Sequence, residues 1–284
     1  MKFHHATADF FVPDGASPEK ALSRVTHMTI GAHQDDIELM SVHGVLACFD
    51  AAEPCFGGVT CTNGAGSARV GPYANVTNEK MCEFRREEQR VAASIGRYSF
   101  MAQLDYASSE VKAPGAPDLV NDLVALLQAA KPKVLYTHNP ADKHDTHVGV
   151  VLAVIEACRR LPAKVRPEKL LGCEIWRDLD WMCDNEKVIM DISARQNLQA
   201  ALYGVFDSQI AGGKRYDLAI MGRHRANATM LESHAADKTE MAAFAMDLTP
   251  LIKDDKMDVM EFVLDHIRRF EADVRKRMEV RLKK

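Results

Sequence analysis

Short β-rich runs alternate with longer helical segments along most of the chain, and this alternation is the strongest constraint on its fold. The predicted strands span residues 25–32, 56–62, 134–137, 170–176 and 187–192. The predicted helices span residues 37–52, 79–95, 119–130 and 148–160. Strands that alternate with helices favour parallel β-α-β units. We therefore predict an α/β fold with a Rossmann-like, open and mostly parallel sheet that carries helices on both faces.

The chain divides into three predicted regions. Its 284 residues are enough for one large domain or two small ones. Residues 1–22 contain two prolines and a glycine and are predicted to be an irregular N-terminal segment. Residues 23–250 are predicted to form the α/β domain. Residues 251–284 are predicted to form a charged helix that packs on the domain or on a partner subunit, which would allow a homo-oligomer.

Composition and charge limit the partners that this chain can have. Lys and Arg number 36 against 40 Asp and Glu, a net charge of −4, whereas nucleic-acid binders usually have a basic balance. No apolar run approaches the ~20 residues that a membrane helix needs. The seven cysteines include no Cys-x-x-Cys pair, and the N-terminus lacks an apolar core of signal-peptide length. We predict a cytoplasmic protein with a small-molecule partner, and neither nucleic acid nor membrane as a partner.

Residues 31–38 form a loop after the first predicted strand of the domain, and this loop is rich in ionisable groups. In an open α/β sheet, reactive groups lie in the loops that follow the carboxyl ends of strands. The loop contains His33 and three carboxylates, and imidazole together with a carboxylate suits zinc. Adjacent side chains cannot easily point the same way. Asp35 and Asp36 are therefore expected to have separate roles, one binding a metal and the other facing its bound water.

A second loop, residues 138–147, is rich in histidine. It holds three of the eleven histidines of the chain. His144 and His147 are three residues apart, so they share a face on a turn or a helix. His33, Asp36 and one of this pair would supply three ligands and leave a fourth position open for water. An open position of this kind is typical of catalytic zinc sites, whereas structural sites are closed.

The motifs His33-Gln34-Asp35-Asp36 and His144-Asp145-Thr146-His147 resemble the paired motifs of the LmbE-like (PIG-L) N-acetylglucosaminyl deacetylases. The similarity extends over roughly residues 25–235 and includes several weaker elements. These elements are a strand and turn at residues 59–64, an Arg-x-x-Glu helix that starts at Arg85, the acidic Asp105, and Ser208-Gln209.

The resemblance implies a zinc-dependent amidohydrolase that removes an N-acyl group, an N-acetyl group above all, from an amino sugar or its glycoside. It implies one zinc ion per chain, with another divalent transition metal such as Fe²⁺ as the alternative. The implied roles are metal ligands for His33, Asp36 and His147, general base for Asp35, oxyanion donor for His144, substrate contacts for Arg85 and Asp105, and an orienting carboxylate for Asp142.

Two departures from the family pattern bear on specificity. Gln34 stands where the family usually has Pro, and Asp145-Thr146 replaces the usual Pro-Asp. The lost Asp would normally hold a neighbouring group in place, and Thr is a weaker partner for that purpose. Because the ligands and the base are present, we interpret the chain as a variant enzyme whose sugar specificity differs.

Two other functions fit parts of the pattern. One is a non-catalytic, metal- or sugar-binding member of the same fold, and Asp35 argues against it, since a pure binding site has no use for an unligated base. The other is a magnesium-dependent phosphoacceptor domain that uses the adjacent carboxylates Asp35 and Asp36. Magnesium prefers oxygen ligands, so the histidines argue against this second alternative.

A locally basic segment lies at residues 222–225. Charged segments of this kind are usually solvated, and we interpret it as a surface turn. Binding of an anionic substituent of a substrate is the alternative.

Overall fold

The computed structural model describes residues 1–282 and contains one eight-stranded sheet over that part of the chain. The strands are β1 (Asp9–Phe11), β2 (His27–Gly31), β3 (Phe56–Thr62), β4 (Phe100–Tyr106), β5 (Val134–His138), β6 (Lys169–Cys173), β7 (Lys187–Asp191) and β8 (Ala242–Asp247). Their order is β1-β4-β3-β2-β5-β6-β8-β7. The five strands from β4 to β6 in this order are mutually parallel, while β1 and β8 run antiparallel to their neighbours.

Eleven α-helices accompany the sheet within residues 1–282. They are α1 (Pro18–Ser23), α2 (Asp36–Phe49), α3 (Asn78–Ile95), α4 (Ser108–Val111), α5 (Pro117–Ala130), α6 (Asp145–Arg160), α7 (Gln196–Gly204), α8 (Asp207–Ile210), α9 (Tyr216–Met230), α10 (Thr249–Lys253) and α11 (Val259–Leu282). Apolar side chains of both sheet faces are covered: on β5, Leu135 and the next residue, Tyr136, belong to separate hydrophobic clusters. The predicted fold class, a mostly parallel sheet with helices on both faces, is confirmed.

The two loops singled out in the sequence meet at the centre of the sheet. β2 and β5 are adjacent and parallel, with His27 opposite Val134. The chain extends from β2 to β3 and β4 on one side and continues to β5 and β6 on the other. The β2–β5 boundary is therefore a topological switch point, where ligands of open α/β sheets bind outside the carboxyl ends of the strands.

Several elements differ from the sequence-based expectations. Residues 1–22, expected to be irregular, contain β1, which pairs with β4 and places Phe10 against Phe100 with ring centroids 5.1 Å apart. The strands β4 and β8 and the helices α7 to α9 were not predicted. Residues 222–225 lie inside α9 and do not form a turn, and His224 is buried there. These differences share a cause, because long-range pairing and packing decided the local structure.

The C-terminal region forms α10 and α11, and residues 283–284 of the predicted charged helix lie outside the described residues. His266, on α11, is buried, and its Nδ1 lies 2.9 Å from Glu186 Oε2, so this part of α11 packs on the domain. None of the helices within residues 1–282 is both long enough and apolar enough to cross a membrane. Association with a partner subunit through α11 stays a prediction.

Candidate active site

Three side chains from the two loops converge at the ends of β2 and β5. Asp36 Oδ2 lies 3.2 Å from His33 Nδ1 and 3.4 Å from His147 Nε2. The two imidazole nitrogens, His147 Nε2 and His33 Nδ1, are 3.2 Å apart. The main-chain N–H of His33 also donates to Asp36 Oδ2, at 2.7 Å, which holds the loop around the carboxylate. The result is a triangle of two nitrogens and one oxygen.

The size and chemistry of this triangle fit a divalent ion. Ligand atoms about 2.0–2.2 Å from a tetrahedral zinc lie about 3.3–3.6 Å from one another, close to the separations seen here. Burial alone would raise the pKa of Asp36, but His147 and His138 hold it well below its usual value, so the carboxylate is ionised. The three side chains could therefore hold a metal such as zinc.

His144 is close enough to the triangle to be considered as a further ligand. Its ring stacks on that of His147 with centroids 4.5 Å apart and meets that of His33 at 4.8 Å. Ligand nitrogens of these three histidines lie within 4.8 Å of one another. Burial, and next the charge of His33, lower the pKa of His144, so its imidazole is mainly neutral at pH 7. Geometry alone permits either a ligand or a neighbouring hydrogen-bond donor.

His138, the last residue of β5, is a component of the site with no role predicted from the sequence motifs. Its ring stacks on His147 with centroids 3.8 Å apart, and its Nε2 is 3.4 Å from Asp36 Oδ2. The same Nε2 accepts a hydrogen bond of 2.9 Å from the main-chain N–H of Ala32. Ligand atoms of His138, Asp36 and His147 also lie within 4.8 Å of one another, but the lone pair of His138 Nε2 is already used by Ala32. The position of His138 at the end of a central strand was the signal in the sequence.

Asp35 occupies a strained position beside the triangle. Its φ of 99° is in the region that disfavours residues with a side chain, so the surrounding contacts must hold it there. Arg85 Nη1 lies 3.4 Å from its carboxylate, Arg85 Nη2 donates to the Gln34 carbonyl, and Gln89 Oε1 accepts from the Asp35 N–H at 3.2 Å. Burial raises the pKa of Asp35 to about 6 despite the opposing charge of Arg85.

Glu38, the third carboxylate of the first loop, points away from the triangle. It is buried and accepts hydrogen bonds from Gln89 Nε2 at 2.8 Å and from the Tyr98 hydroxyl at 2.7 Å. Burial raises its pKa to about 8, so the side chain is largely protonated at neutral pH. Glu38 therefore fixes Gln89, which in turn holds the backbone of Asp35. The sequence offered no signal for this connection.

Asp142 and Asp105 have different surroundings. Asp142 Oδ2 is 3.4 Å from His147 Nδ1, and its Oδ1 accepts from the His144 N–H at 3.0 Å, so its carboxylate touches the second loop at both histidines. Asp105 lies 3.0 Å from Arg86 Nη2, accepts a hydrogen bond from Thr7, and is not among the residues that line the cavity. The structure does not bring Asp105 to the site, because Thr7, which precedes β1, and Arg86 on α3 bind its carboxylate instead.

Of the residues that depart from the family motif, Gln34 and Thr146 are buried and Asp145 is exposed. The amide of Gln34 donates to the Thr62 carbonyl at 3.0 Å and lies 3.2 Å from Gln103 Oε1, which ties the first loop to β3 and β4. Thr146, on the first turn of α6, lines the cavity.

The triangle opens into a cavity of about 570 Å³, a size typical of small-molecule sites. Its inner end contains His33, Asp35, Asp36, Arg85, His144 and Thr146. Its outer wall includes Ser108, Lys112, Lys143, Ile175, Trp176, Gln209, Lys214, Tyr216, Ile220 and Arg223. Much of this wall comes from residues 175–223, far from both loops in sequence. The sequence pointed to Gln209 through the family resemblance and to Arg223 through the basic segment, and it did not point to the other wall residues of this range.

Comparisons with known proteins agree with this architecture. Residues 28–158 match the model of the PIG-L family, described as GlcNAc-PI de-N-acetylase. No curated protein sequence matches the chain. A conserved protein from Thermus thermophilus has a similar structure, with 18% identity, a TM-score of 0.60 and coverage of 83% of this chain and 100% of its own.

Two further structures of known activity share the fold. N,N'-diacetylchitobiose deacetylase from Pyrococcus horikoshii has 13% identity, a TM-score of 0.60, and coverage of 85% of this chain and 90% of its own. The 4-carboxy-2-hydroxymuconate hydratase of Pseudomonas putida has 15% identity, a TM-score of 0.57, and coverage of 79% and 96%. At these identities the likeness establishes the fold, and the chemistry must be argued from the site.

Proposed function

We propose that this chain, whose residues 28–158 belong to the PIG-L family, is a metal-dependent hydrolase that removes an N-acyl group, an N-acetyl group above all, from an amino sugar or its glycoside. The observation that carries the proposal is the triangle of His33, Asp36 and His147 with the ionisable Asp35 beside it. A metal-binding protein without turnover would have no reason to hold Asp35 in a strained conformation.

His33, Asp36 and His147 would hold one zinc ion, with Fe²⁺ as the alternative. When bound, such an ion makes hydroxide available at neutral pH by lowering the pKa of water, and it polarises a carbonyl oxygen. Two imidazoles in the ligand set disfavour magnesium, which prefers oxygen. A magnesium-dependent phosphoacceptor is therefore the weaker alternative.

Asp35 would act as the general base and acid. It takes one proton from the attacking water and later donates it to the amine nitrogen as the C–N bond breaks. The amide and one water molecule thus yield a carboxylic acid and a free amine. A carboxyl with a pKa of about 6 is suited to both transfers near neutral pH, because the best catalytic pKa lies close to the working pH.

His144 would donate a hydrogen bond to the carbonyl oxygen of the substrate as negative charge develops there. It lines the cavity next to His33, and its Nδ1 is buried without a hydrogen-bond partner within residues 1–282. A buried polar atom without a partner calls for an explanation, and a substrate oxygen would supply one. Asp142 would orient His147 and the backbone of His144.

Release of a primary amine from a panel of N-acylated sugars tests the proposed reaction directly. We expect amine release that stops when the protein is treated with a chelator and returns with added zinc. The panel includes N-acetylglucosamine, its glycosides and analogues with longer acyl groups. Because a hydratase shares the fold, hydration of an unsaturated acid is measured in parallel. Hydration of that acid, with no amine release from any panel member, would contradict the proposal.

His33→Ala and His147→Ala are each expected to lose most of the bound metal while the protein stays folded, since each variant removes one corner of the triangle. Metal content is measured by elemental analysis, and folding by circular dichroism. His234→Ala is the matched control, because His234 is exposed and belongs neither to the cavity lining nor to any group within residues 1–282 that could hold a metal, so this variant should keep its metal. Unchanged metal content in both ligand variants would remove the proposed site.

A further inference from the structure

The outer part of the cavity is lined by cations. Four basic side chains face it beyond the ion pair of Arg85 and Asp35: Lys112, Lys143, Lys214 and Arg223. Within the part of the chain that the structure describes, none of the four has a carboxylate within 4.0 Å, and the carboxylates that line the cavity are Asp35 and Asp36 alone. The whole chain has a net charge of −4, so the excess of positive charge is specific to the lining of this cavity.

Two of these cations are held in place by the wall itself. Lys214 Nζ lies 5.2 Å from the centroid of the Trp176 ring, within the range of a cation–π contact. Arg223 Nη1 donates a hydrogen bond to the main-chain carbonyl of Ile175, and its side chain is half-buried on α9. Both contacts are with the segment directly after β6, so the two positive groups lie on the same part of the wall.

The Trp176 ring separates this part of the wall from His144 and the triangle. The Trp176 ring is 6.3 Å from that of His144 and 5.9 Å from that of Tyr216. A sugar with its acyl group at the metal site would thus lie along Trp176, and a substituent on its far side would reach Lys214 and Arg223.

We propose that the substrate carries an anionic group, a carboxylate or a phosphate, that Lys214 and Arg223 bind while Lys112 and Lys143 add to the positive field. The inference rests on the proposed function for the placement of the acyl group. Charge-assisted hydrogen bonds to a guanidinium and an ammonium fit such a group, and a cleft lined by one sign of charge raises the local concentration of oppositely charged ligands. The proposal also gives the basic residues 222–225 the role stated above as their alternative, binding of an anionic substituent, which Arg223 would perform.

Equilibrium binding tests the anion site without turnover. Trp176 is one of two tryptophans, so Trp181→Phe leaves it as the sole fluorescent reporter beside Lys214. The full-length protein is stripped of metal, dialysed free of chelator, and titrated with N-acetylglucosamine, N-acetylglucosamine 6-phosphate and N-acetylmuramic acid. We expect the charged compounds to bind at least about 10-fold more tightly than the neutral sugar, and less so at high ionic strength. The stronger of the two identifies phosphate or carboxylate as the preferred group.

Charge variants then locate the site. Lys214→Gln and Arg223→Gln are expected to reduce the preference for the charged compounds, and the double variant to remove it. Lys164→Gln is the matched control, because Lys164 is exposed, lies outside the cavity lining and changes the net charge equally. Equal binding of neutral and charged sugars, or an equal effect of Lys164→Gln, would overturn the proposal. Lys214→Gln keeps the test decisive if Arg223→Gln fails to fold, since Lys214 is exposed.

The binding and amine-release assays separate the two proposals. A preference for charged sugars that depends on Lys214 supports the anion site, even if no compound releases an amine. Absence of amine release would count against the proposed hydrolase and not against the anion site. Amine release that is equally efficient from neutral and charged sugars would overturn the anion site and leave the hydrolase standing.

Discussion

Asp35→Asn is expected to retain the bound metal and to lose turnover by about 100-fold or more, the usual scale for a positioned proton-transfer group. Asn has nearly the shape of Asp and can occupy the same strained backbone position, but its amide cannot take a proton from water. Arg85 and Gln89 contact Asp35 from α3 and would keep the loop in place. Steady-state amine release and metal content measured on the same preparation check this result.

Two companion variants sharpen the test of Asp35. Asp36→Asn should weaken metal binding, because Asp36 supplies the oxygen corner of the triangle. Asp145→Asn, in the second loop, should have little effect, because Asp145 is exposed. If Asp35→Asn lost its metal and Asp36→Asn kept it, the adjacent carboxylates would have to exchange roles. A thermal unfolding curve shows whether the unpaired Arg85 has destabilised the variant.

His144→Ala is expected to lower kcat and kcat/KM together by about 10²–10³-fold, with little change in KM. That is the cost of removing one oxyanion donor in other enzymes. The contact strengthens only as charge develops on the carbonyl oxygen, so its loss raises the barrier without weakening ground-state binding. His144→Gln, which keeps an N–H donor of similar reach, should recover part of the lost kcat.

The metal content of His144→Ala distinguishes the two roles that the geometry allows. Retention of the metal with a reduced kcat supports the donor role. Loss of the metal would make His144 a ligand, in keeping with its nitrogen lying within 4.8 Å of those of His33 and His147. A near-normal kcat with full metal content would mean that the metal alone stabilises the oxyanion.

The parts of the site that the sequence revealed are those with a local signature. The alternation of strands and helices predicted the fold class, and residues 56–62 form β3 with the predicted bounds. The loops at residues 31–38 and 138–147 stood out because ionisable groups followed apolar runs directly. Their meeting could be expected as well, since carboxyl ends of parallel strands lie at one edge of a sheet.

The supporting groups carried no such signature. Gln89 and Glu38 look like ordinary helical residues, yet tertiary packing buries both and connects them to the backbone of Asp35. Asp105 matched a family position but lies away from the cavity, because Arg86 and Thr7 bind its carboxylate. The contacts of Gln89 and Glu38 and the position of Asp105 could not be predicted from composition or spacing, since each depends on partners from other parts of the chain.

The sequence by itself determined the fold class and the two loops that hold the proposed ligands, because strand periodicity and strand-end polarity are encoded within a few residues. The tertiary structure decided the charge and shape of the cavity. Trp176, Lys214 and Arg223 meet there only because the segment after β6 contacts Arg223 of α9 and Lys214 just before that helix. Residues 222–225 by themselves resemble a solvated turn. Which side chains from distant parts of the chain face one cavity is decided by tertiary packing, and the local sequence does not encode it.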